Sequence, residues 1–250
     1  MSLNGKVALV TGGSRGIGRA ICLALASKGA DIIVNYARHS KEADETVASI
    51  KQLGVDAIKI RANLGDPVKI KEMFYQVDRT FGHLDILINN AASGVQRQAT
   101  TLEVKHWDWT LDINARGAWL CAVESAKLMS AGSRIVNITS LGSSRVIPNY
   151  LSVGVSKAAL EALTRYLAVE FSAQGIIVNA VSGGLVETDA LRSLANSQDL
   201  IDDPVKRTPA GRMVKVTDIA DTVLFLCGNQ SNMIRGQIIV VDGGISLLAL

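Results

Sequence analysis

Cysteine is scarce in this chain, and its three copies, Cys22, Cys121 and Cys227, stand far apart with no Cys-x-x-Cys spacing. That argues against a disulfide framework and a zinc site, and leaves the thiols as small packing groups. Proline is nearly as rare, at 4 of 250 residues, and no linker or low-complexity tract divides the chain, so one domain over residues 1–250 is expected. No charge sign dominates either. A formal net charge of +3 from interleaved Lys, Arg, Asp and Glu lacks the basic block of a nucleic-acid partner. Apolar runs such as Ile135 to Ile138 and Ile238 to Val241 are too short to cross a bilayer, and Met1-Ser-Leu-Asn-Gly-Lys6 lacks the apolar core and cleavage site of a signal peptide. The expectation is a cytoplasmic protein with no membrane partner, no nucleic-acid partner and no metal.

What the chain does contain is a repeated rhythm. Hydrophobic residues make up 48% and charged residues 20%, enough apolar surface for a stable core. Short β-branched runs, Val7 to Val10, Ile32 to Asn35, Ala57 to Arg61, Leu84 to Ile88, Ile135 to Ile138, Ile176 to Val181 and Ile238 to Val241, alternate with longer amphipathic segments. Strands that read as continuous apolar runs are buried on both faces, as in a parallel sheet covered by helices. The predicted fold is α/β: a doubly wound Rossmann fold, with a parallel sheet of about seven strands and helices on both faces. Ile17, Ala20, Ile21, Ala24 and Leu25 form one helical core stripe, and Leu160, Leu163, Leu167 and Phe171 another. The stretch at about 183–213 mixes Gly, Ser, Asn, Asp and Pro, and reads as a substrate-loop excursion.

The first strand runs into Thr11-Gly-Gly-Ser-Arg-Gly-Ile-Gly18, and a helical stripe starts at once. Strand, glycine loop and helix in that order let the backbone pass close to a pyrophosphate, whose charge the helix N-terminus stabilises. Gly12, Ser14, Arg15, Gly16, Ile17 and Gly18 are therefore candidate cofactor residues. An NAD site places a carboxylate at the end of the second strand, but Asn35-Tyr-Ala-Arg38 has none. Arg15 and Arg38 instead suit a 2′-phosphate, so the expected cofactor is NADPH (NADP+).

Thr11-Gly-x-x-x-Gly-x-Gly18, Asn89-Asn-Ala-Ala92 and Asp242-Gly-Gly244, in this order, resemble the short-chain dehydrogenase/reductase family over essentially the whole chain. The resemblance implies that Asn63 and Leu64 lie beside the adenine, that Asn90 and Ala91 line the cofactor pocket, and that Thr188 contacts the carboxamide. It also implies an Asn, Ser, Tyr, Lys catalytic set, which here supplies Asn114, Ser140 and Lys157. The tyrosine expected four positions before Lys157 is replaced by Val153, which has no proton to give. The nearest tyrosine is Tyr150, and the turn chemistry of Pro148-Asn149 sets it before the helix proper.

This altered spacing, with runs such as Ser140-Leu-Gly-Ser143 and Val153-Gly-Val-Ser-Lys-Ala-Ala-Leu-Glu161, resembles the enoyl-[acyl-carrier-protein] reductase III group of bacteria. The resemblance implies reduction of a trans-2-enoyl thioester carried on acyl carrier protein or coenzyme A. Tyr150 then donates to the thioester oxygen, Lys157 binds the nicotinamide ribose, and Asn114 organises a water or the helix backbone. It implies a homotetramer as well, built through helices that include Ala158 to Phe171. Two other activities remain open at this point: a 3-oxoacyl-thioester reductase, and an enoyl-CoA reductase of a specialised pathway. A non-enzymatic dinucleotide sensor is disfavoured by the retained Asn114, Ser140 and Lys157.

Overall fold

Alternate residues of each central strand point to opposite sides, and this alternation builds two cores. In the first strand, β1 (Val7–Val10), Ala8 and Val10 pack on one side while Val7 and Leu9 pack on the other. β2 (Asp31–Tyr36), β3 (Ala57–Arg61), β4 (Ile86–Asn89), β5 (Arg134–Ser140) and β6 (Ile177–Gly183) follow. With β9 (Ile238–Val241) they form one parallel sheet in the order β3-β2-β1-β4-β5-β6-β9. A short parallel ribbon, β7 (Val186–Glu187) with β8 (Val214–Lys215), stands apart from it. The computed structural model describes residues 2–187 and 208–248. Thr188 and most of the excursion at 183–213 lie outside the described residues; β7 and β8 mark its two ends.

On one face of the sheet lie α1 (Gly16–Ala26), α2 (Ser40–Lys51) and α7 (Val216–Leu226). On the other lie α3 (Pro67–Phe81), α5 (Ala118–Ala126) and α6 (Leu151–Glu170). α4 (Val104–Leu111) runs through a π-helical turn (Asp112–Gly117) into α5 and packs on α6. α3 shows how local signals set these bounds. The Asp66 carboxylate accepts from Val68 and Lys69 N–H, Pro67 opens the helix where no N–H is needed, and Gly82 closes it in the left-handed region. Both helical stripes reach the core: Ile21, Leu25, Leu160 and Leu167 are buried. Cys22, Cys121 and Cys227 are buried free thiols. Among the described residues no helix is long and apolar enough to cross a membrane, and no cluster of His, Cys, Asp or Glu could hold a metal.

The strand bounds shift where hydrogen bonding overrides apolar patterning. β4 starts later than Leu84 because Leu84 N–H goes to Leu128 and the Asp85 carboxylate accepts from Val7 N–H and Lys6 Nζ. β6 runs past Val181 because Ser182 and Gly183 pair with Thr139 and Ser140 on one side and Val240 and Val241 on the other.

A buried polar ladder fixes α6 against this sheet. Asn89 Nδ2 donates to Asn137 Oδ1 at 2.9 Å, Asn137 Nδ2 donates to Thr164 Oγ1 at 2.8 Å, and Thr164 donates to the Leu160 carbonyl at 2.8 Å. Asn137 and Thr164 have no exposed surface, so each lost partner leaves a desolvated group behind. Thr164→Val should lower unfolding stability by about 1–3 kcal/mol, measured by urea denaturation with the slope unchanged.

Candidate active site and cofactor cleft

A cleft of about 880 Å³ opens at the carboxyl ends of β1, β2 and β4, where the winding of the sheet reverses. Its lining contains Gly12, Ser14, Arg15, Gly16, Ile17, Gly18, Arg38, Asn63, Leu64, Asn90 and Ala91, which are all the predicted cofactor residues except Lys157 and the undescribed Thr188. α1 begins here with no side-chain cap and no acid in its first turn, leaving its N–H groups for an anion. Gly18 allows the tight packing: a Cβ there would collide with the Gly12 carbonyl.

Two polar side chains tie the loops of this cleft together. The Thr11 hydroxyl donates to the Ile88 carbonyl and accepts from Asn90 N–H at 2.9 Å and Ala91 N–H at 3.0 Å. Asn90 Nδ2 returns bonds to the carbonyls of Thr11 and Gly12. On the other flank, buried Asn35 accepts from Gly12 N–H and donates to the carbonyls of Ile60 and Ala62. Asn35 is thus a brace between β1, β2 and β3, and the adenosine end of the cleft begins with Tyr36, Ala37 and Arg38. Arg15 and Arg38 form no salt bridge among the described residues, while Lys69 pairs with Glu72 and Arg61 Nε donates to the Ala37 carbonyl. The glycine cradle, the open helix N-terminus and the unpaired guanidinium groups fit a dinucleotide carrying a 2′-phosphate.

The catalytic candidates gather beyond the cleft, where β5 ends beside the start of α6. The Ser140 hydroxyl lies near the half-buried Tyr150 phenol and accepts from Gly142 N–H at 3.2 Å. Burial holds the Tyr150 phenol above its ordinary pKa, with the nearby Ser140 hydroxyl opposing, so the phenol keeps its proton at neutral pH. Tyr150 is the N-cap of α6, as its turn-forming neighbours predict. Its separation from Lys157 is about two helical turns, so both stand on one side of the helix at different heights. Lys157 is buried, and its Nζ donates to the Ile138 carbonyl at 2.7 Å. Desolvation pushes this ammonium down to about 8, against the upward pull of Glu161.

Asn114 is engaged by neighbouring residues of the protein. Its Oδ1 accepts from Ser93 N–H at 2.8 Å, and its Nδ2 donates to the Ser93 carbonyl and the Ser156 hydroxyl, each at 2.9 Å. This bonding joins the loop after β4 to α6. Val153 is buried under the same loop, packed so closely against Gly94 that a Cβ on the glycine would collide with it.

A family model described as Enoyl-(Acyl carrier protein) reductase matches residues 12–246. The chain is 39% identical over 246 residues to 1-cyclohexenylcarbonyl-CoA reductase of Streptomyces collinus, covering 98% of this chain and 88% of that one. It is 37% identical to 3-oxoacyl-[acyl-carrier-protein] reductase FabG of Staphylococcus epidermidis, covering 96% and 98% of the two chains. A short chain dehydrogenase from Burkholderia cenocepacia, solved in complex with NADP, superimposes with a TM-score of 0.91 at 36% identity, over 98% of this chain and all of that one. The chain belongs to the short-chain dehydrogenase/reductase family.

Within this short-chain dehydrogenase/reductase, an oxidoreductase by family, several supporting residues escape a motif-based reading. Gly142 lies under the Tyr150 ring, where a Cβ would sit 2.7 Å from both Cδ1 and Cε1. Arg97 N–H donates to the Asn149 carbonyl at 2.8 Å, and Arg97 bridges to Tyr150, so the loop after β4 also holds the tyrosine from its backbone side. Asn149 adopts φ 62°, a left-handed conformation that asparagine tolerates. Gly142 could be suspected from its place two residues after Ser140, but what rests on it is a long-range fact. Gly142→Ala should displace the Tyr150 ring and lower kcat by roughly 10–100-fold, since a misplacement of about 1 Å can cost that much. NADPH affinity, read by fluorescence titration, should stay within about twofold.

Proposed function

We propose that this protein reduces the carbon–carbon double bond of a trans-2-enoyl thioester with NADPH. The observation that carries this reading is the position of the proton donor: Tyr150 stands at the N-cap of α6 beside Ser140, while Val153, one turn before Lys157, is apolar and buried beneath Gly94.

NADPH supplies the hydride, which adds to the β-carbon of the enoyl group. The first turn of α1 holds the pyrophosphate, and Arg15 and Arg38 hold the 2′-phosphate with charge-assisted bonds. Lys157 binds the nicotinamide ribose hydroxyls with the N–H groups that Ile138 leaves free. As the double-bond pair shifts, negative charge grows on the thioester oxygen. The protonated Tyr150 phenol meets that charge with a hydrogen bond, and Ser140 keeps the phenol oriented. A proton taken from solvent adds at the α-carbon and completes the reduction. Asn114 acts one step back, through Ser93 and Ser156. The 1-cyclohexenylcarbonyl-CoA reductase similarity supports this reading, because the substrate in that name has its double bond next to a thioester carbonyl. The family model's description supports the carrier-protein form of the same reaction. The exposed Tyr166 and Val169 on α6 support a subunit interface on that helix, as the expected homotetramer would use.

Matched trans-2-enoyl and 3-oxoacyl thioesters of one chain length, each offered on coenzyme A and on carrier protein, test the assignment through NADPH oxidation. An enoyl preference of about tenfold or more in kcat/KM is expected, and the better carrier is read from the same data. Preference for the oxoacyl substrate overturns the reading in favour of a ketoreductase. Tyr150→Phe should lower kcat by about 10²–10⁴-fold, with NADPH affinity held within about twofold. Arg38→Ala should weaken NADPH by about tenfold while leaving NADH nearly unchanged, and equal losses for both would remove the 2′-phosphate assignment.

A further inference from the structure

We propose that Glu161 is a positioning residue of this site, whose carboxylate clamps the two hydroxyl residues flanking Ser140 to α6 and stands as the counter-charge of Lys157 one helical turn away. The inference rests on the reading that Lys157 holds the cofactor ribose.

The clamp is a matter of donors and acceptors. Glu161 Oε1 accepts from Thr139 Oγ1 at 2.9 Å and from Ser143 Oγ at 2.5 Å. An ionised carboxylate only accepts, so both hydroxyls must turn their protons toward it. Ser143 also approaches the Ser140 carbonyl at 2.8 Å, but its single proton goes to the stronger, charged acceptor. One side chain on α6 therefore fixes the last residues of β5 and the turn that follows. That turn carries Gly142, the surface on which the Tyr150 ring rests.

The counter-charge follows from helix geometry and burial. Residues four apart share a helix face, which brings Glu161 and Lys157 to the same side of α6. The Lys157 ammonium is desolvated, and its protein hydrogen bond is to a neutral carbonyl. The elements packed here against α6 bring it no other charge among the described residues. β5 contributes the Ile138 carbonyl and the neutral Thr139. The π-helical turn contributes Asn114, whose amide is engaged by Ser93 and Ser156, while its Asp112 and Arg116 pair with each other. On α4, Lys105 and His106 face Glu103 and Asp108 is exposed, and β6 carries no titratable side chain. Tyr150, at the helix's own N-terminus, is the other titratable group of the site and is held neutral. Glu161, one turn along α6, pulls the Lys157 value upward against desolvation, and its two hydroxyl anchors hold it there to do so.

The two roles separate by substitution. Glu161→Gln keeps an oxygen for Thr139 and Ser143 but removes the charge. Glu161→Asp keeps a charge but draws it back from both hydroxyls. NADPH affinity is measured by fluorescence between about pH 6.5 and 9.5, with thermal unfolding as a check on folding. In the wild type, affinity should fall as pH rises through the Lys157 value of about 8, because the ammonium loses its proton. Glu161 raises that value, so E161Q should move the midpoint down by about half to one pH unit. That shift weakens NADPH about 3–10-fold near pH 8.5 and leaves binding near pH 6.5 within about twofold. E161D should hold the midpoint close to wild type yet lower turnover by about tenfold, and it decides the matter if E161Q does not fold. A wild-type midpoint that E161Q leaves in place overturns the counter-charge, and an E161D indistinguishable from wild type overturns the clamp. A flat wild-type titration, with Lys157→Ala binding NADPH as well as wild type, overturns the ribose reading of Lys157 and this inference with it.

Discussion

The Lys157 ammonium, buried and held 2.7 Å from the Ile138 carbonyl, is the constraint from which the rest of the site follows. An unpaired charge in the interior is expensive, so the lysine is met by a backbone oxygen and, on the proposed readings, by the Glu161 carboxylate and the cofactor ribose. Each of those partners needs α6 at a set height on the sheet. The Asn89–Asn137–Thr164 ladder sets that height from inside, Asn114 and Ser156 set it from the loop after β4, and Glu161 sets it from the end of β5. The same three attachments carry Tyr150 at the N-terminus of the helix. Position of the donor and charge of the lysine are therefore one mechanical problem.

The cofactor cleft depends on a different kind of economy. A doubly wound sheet leaves a crevice wherever its winding reverses, so the cleft exists before any side chain is chosen. The side chains then stop its loops from relaxing into it. Thr11 and Asn90 bond β1 to β4 across the crevice, and Asn35 bonds β1 to β3 through the middle of β2. These are short, local attachments, and they leave the α1 N-terminus and both loop arginines for a ligand.

Much of this was legible in the sequence because it is local. Period and run length placed the seven sheet strands, and the order of strand, glycine loop and helix placed the cradle, so Gly12, Arg15, Gly16 and Gly18 needed no structure to be chosen. Tyr150 outside the helix body was legible too, from Pro148-Asn149. What could not be read is contact between distant segments. Asn35 sat where a cofactor carboxylate was sought, and it proved to be a brace because Ile60 and Ala62 come back beside it. Asn114 was placed near the chemistry by its motif, but its partners Ser93 and Ser156 lie on two other elements. Strand ends differed by one or two residues at β4 and β6, where Asp85 and the pairing of Ser182 and Gly183 outweigh hydropathy.

Moving a proton donor along a helix is more than an exchange of one residue. A phenol one turn before Lys157 needs free space at that height, and here Val153 and Gly94 have closed it by packing against each other. A phenol at the N-cap needs a flat surface, and Gly142 provides one that any side chain would remove. It also needs a backbone that cannot swing, which the Arg97 bridge and the left-handed Asn149 supply. Val153, Gly94, Gly142 and Asn149 are therefore parts of one arrangement, distributed over three segments. Restoring a tyrosine at position 153 alone would place a bulky ring under the loop that Asn114 anchors, and overpacking of that kind strains a site before it creates one. On the proposed reading, substrate choice lies in how the loop after β4, the turn after β5 and the start of α6 pack together.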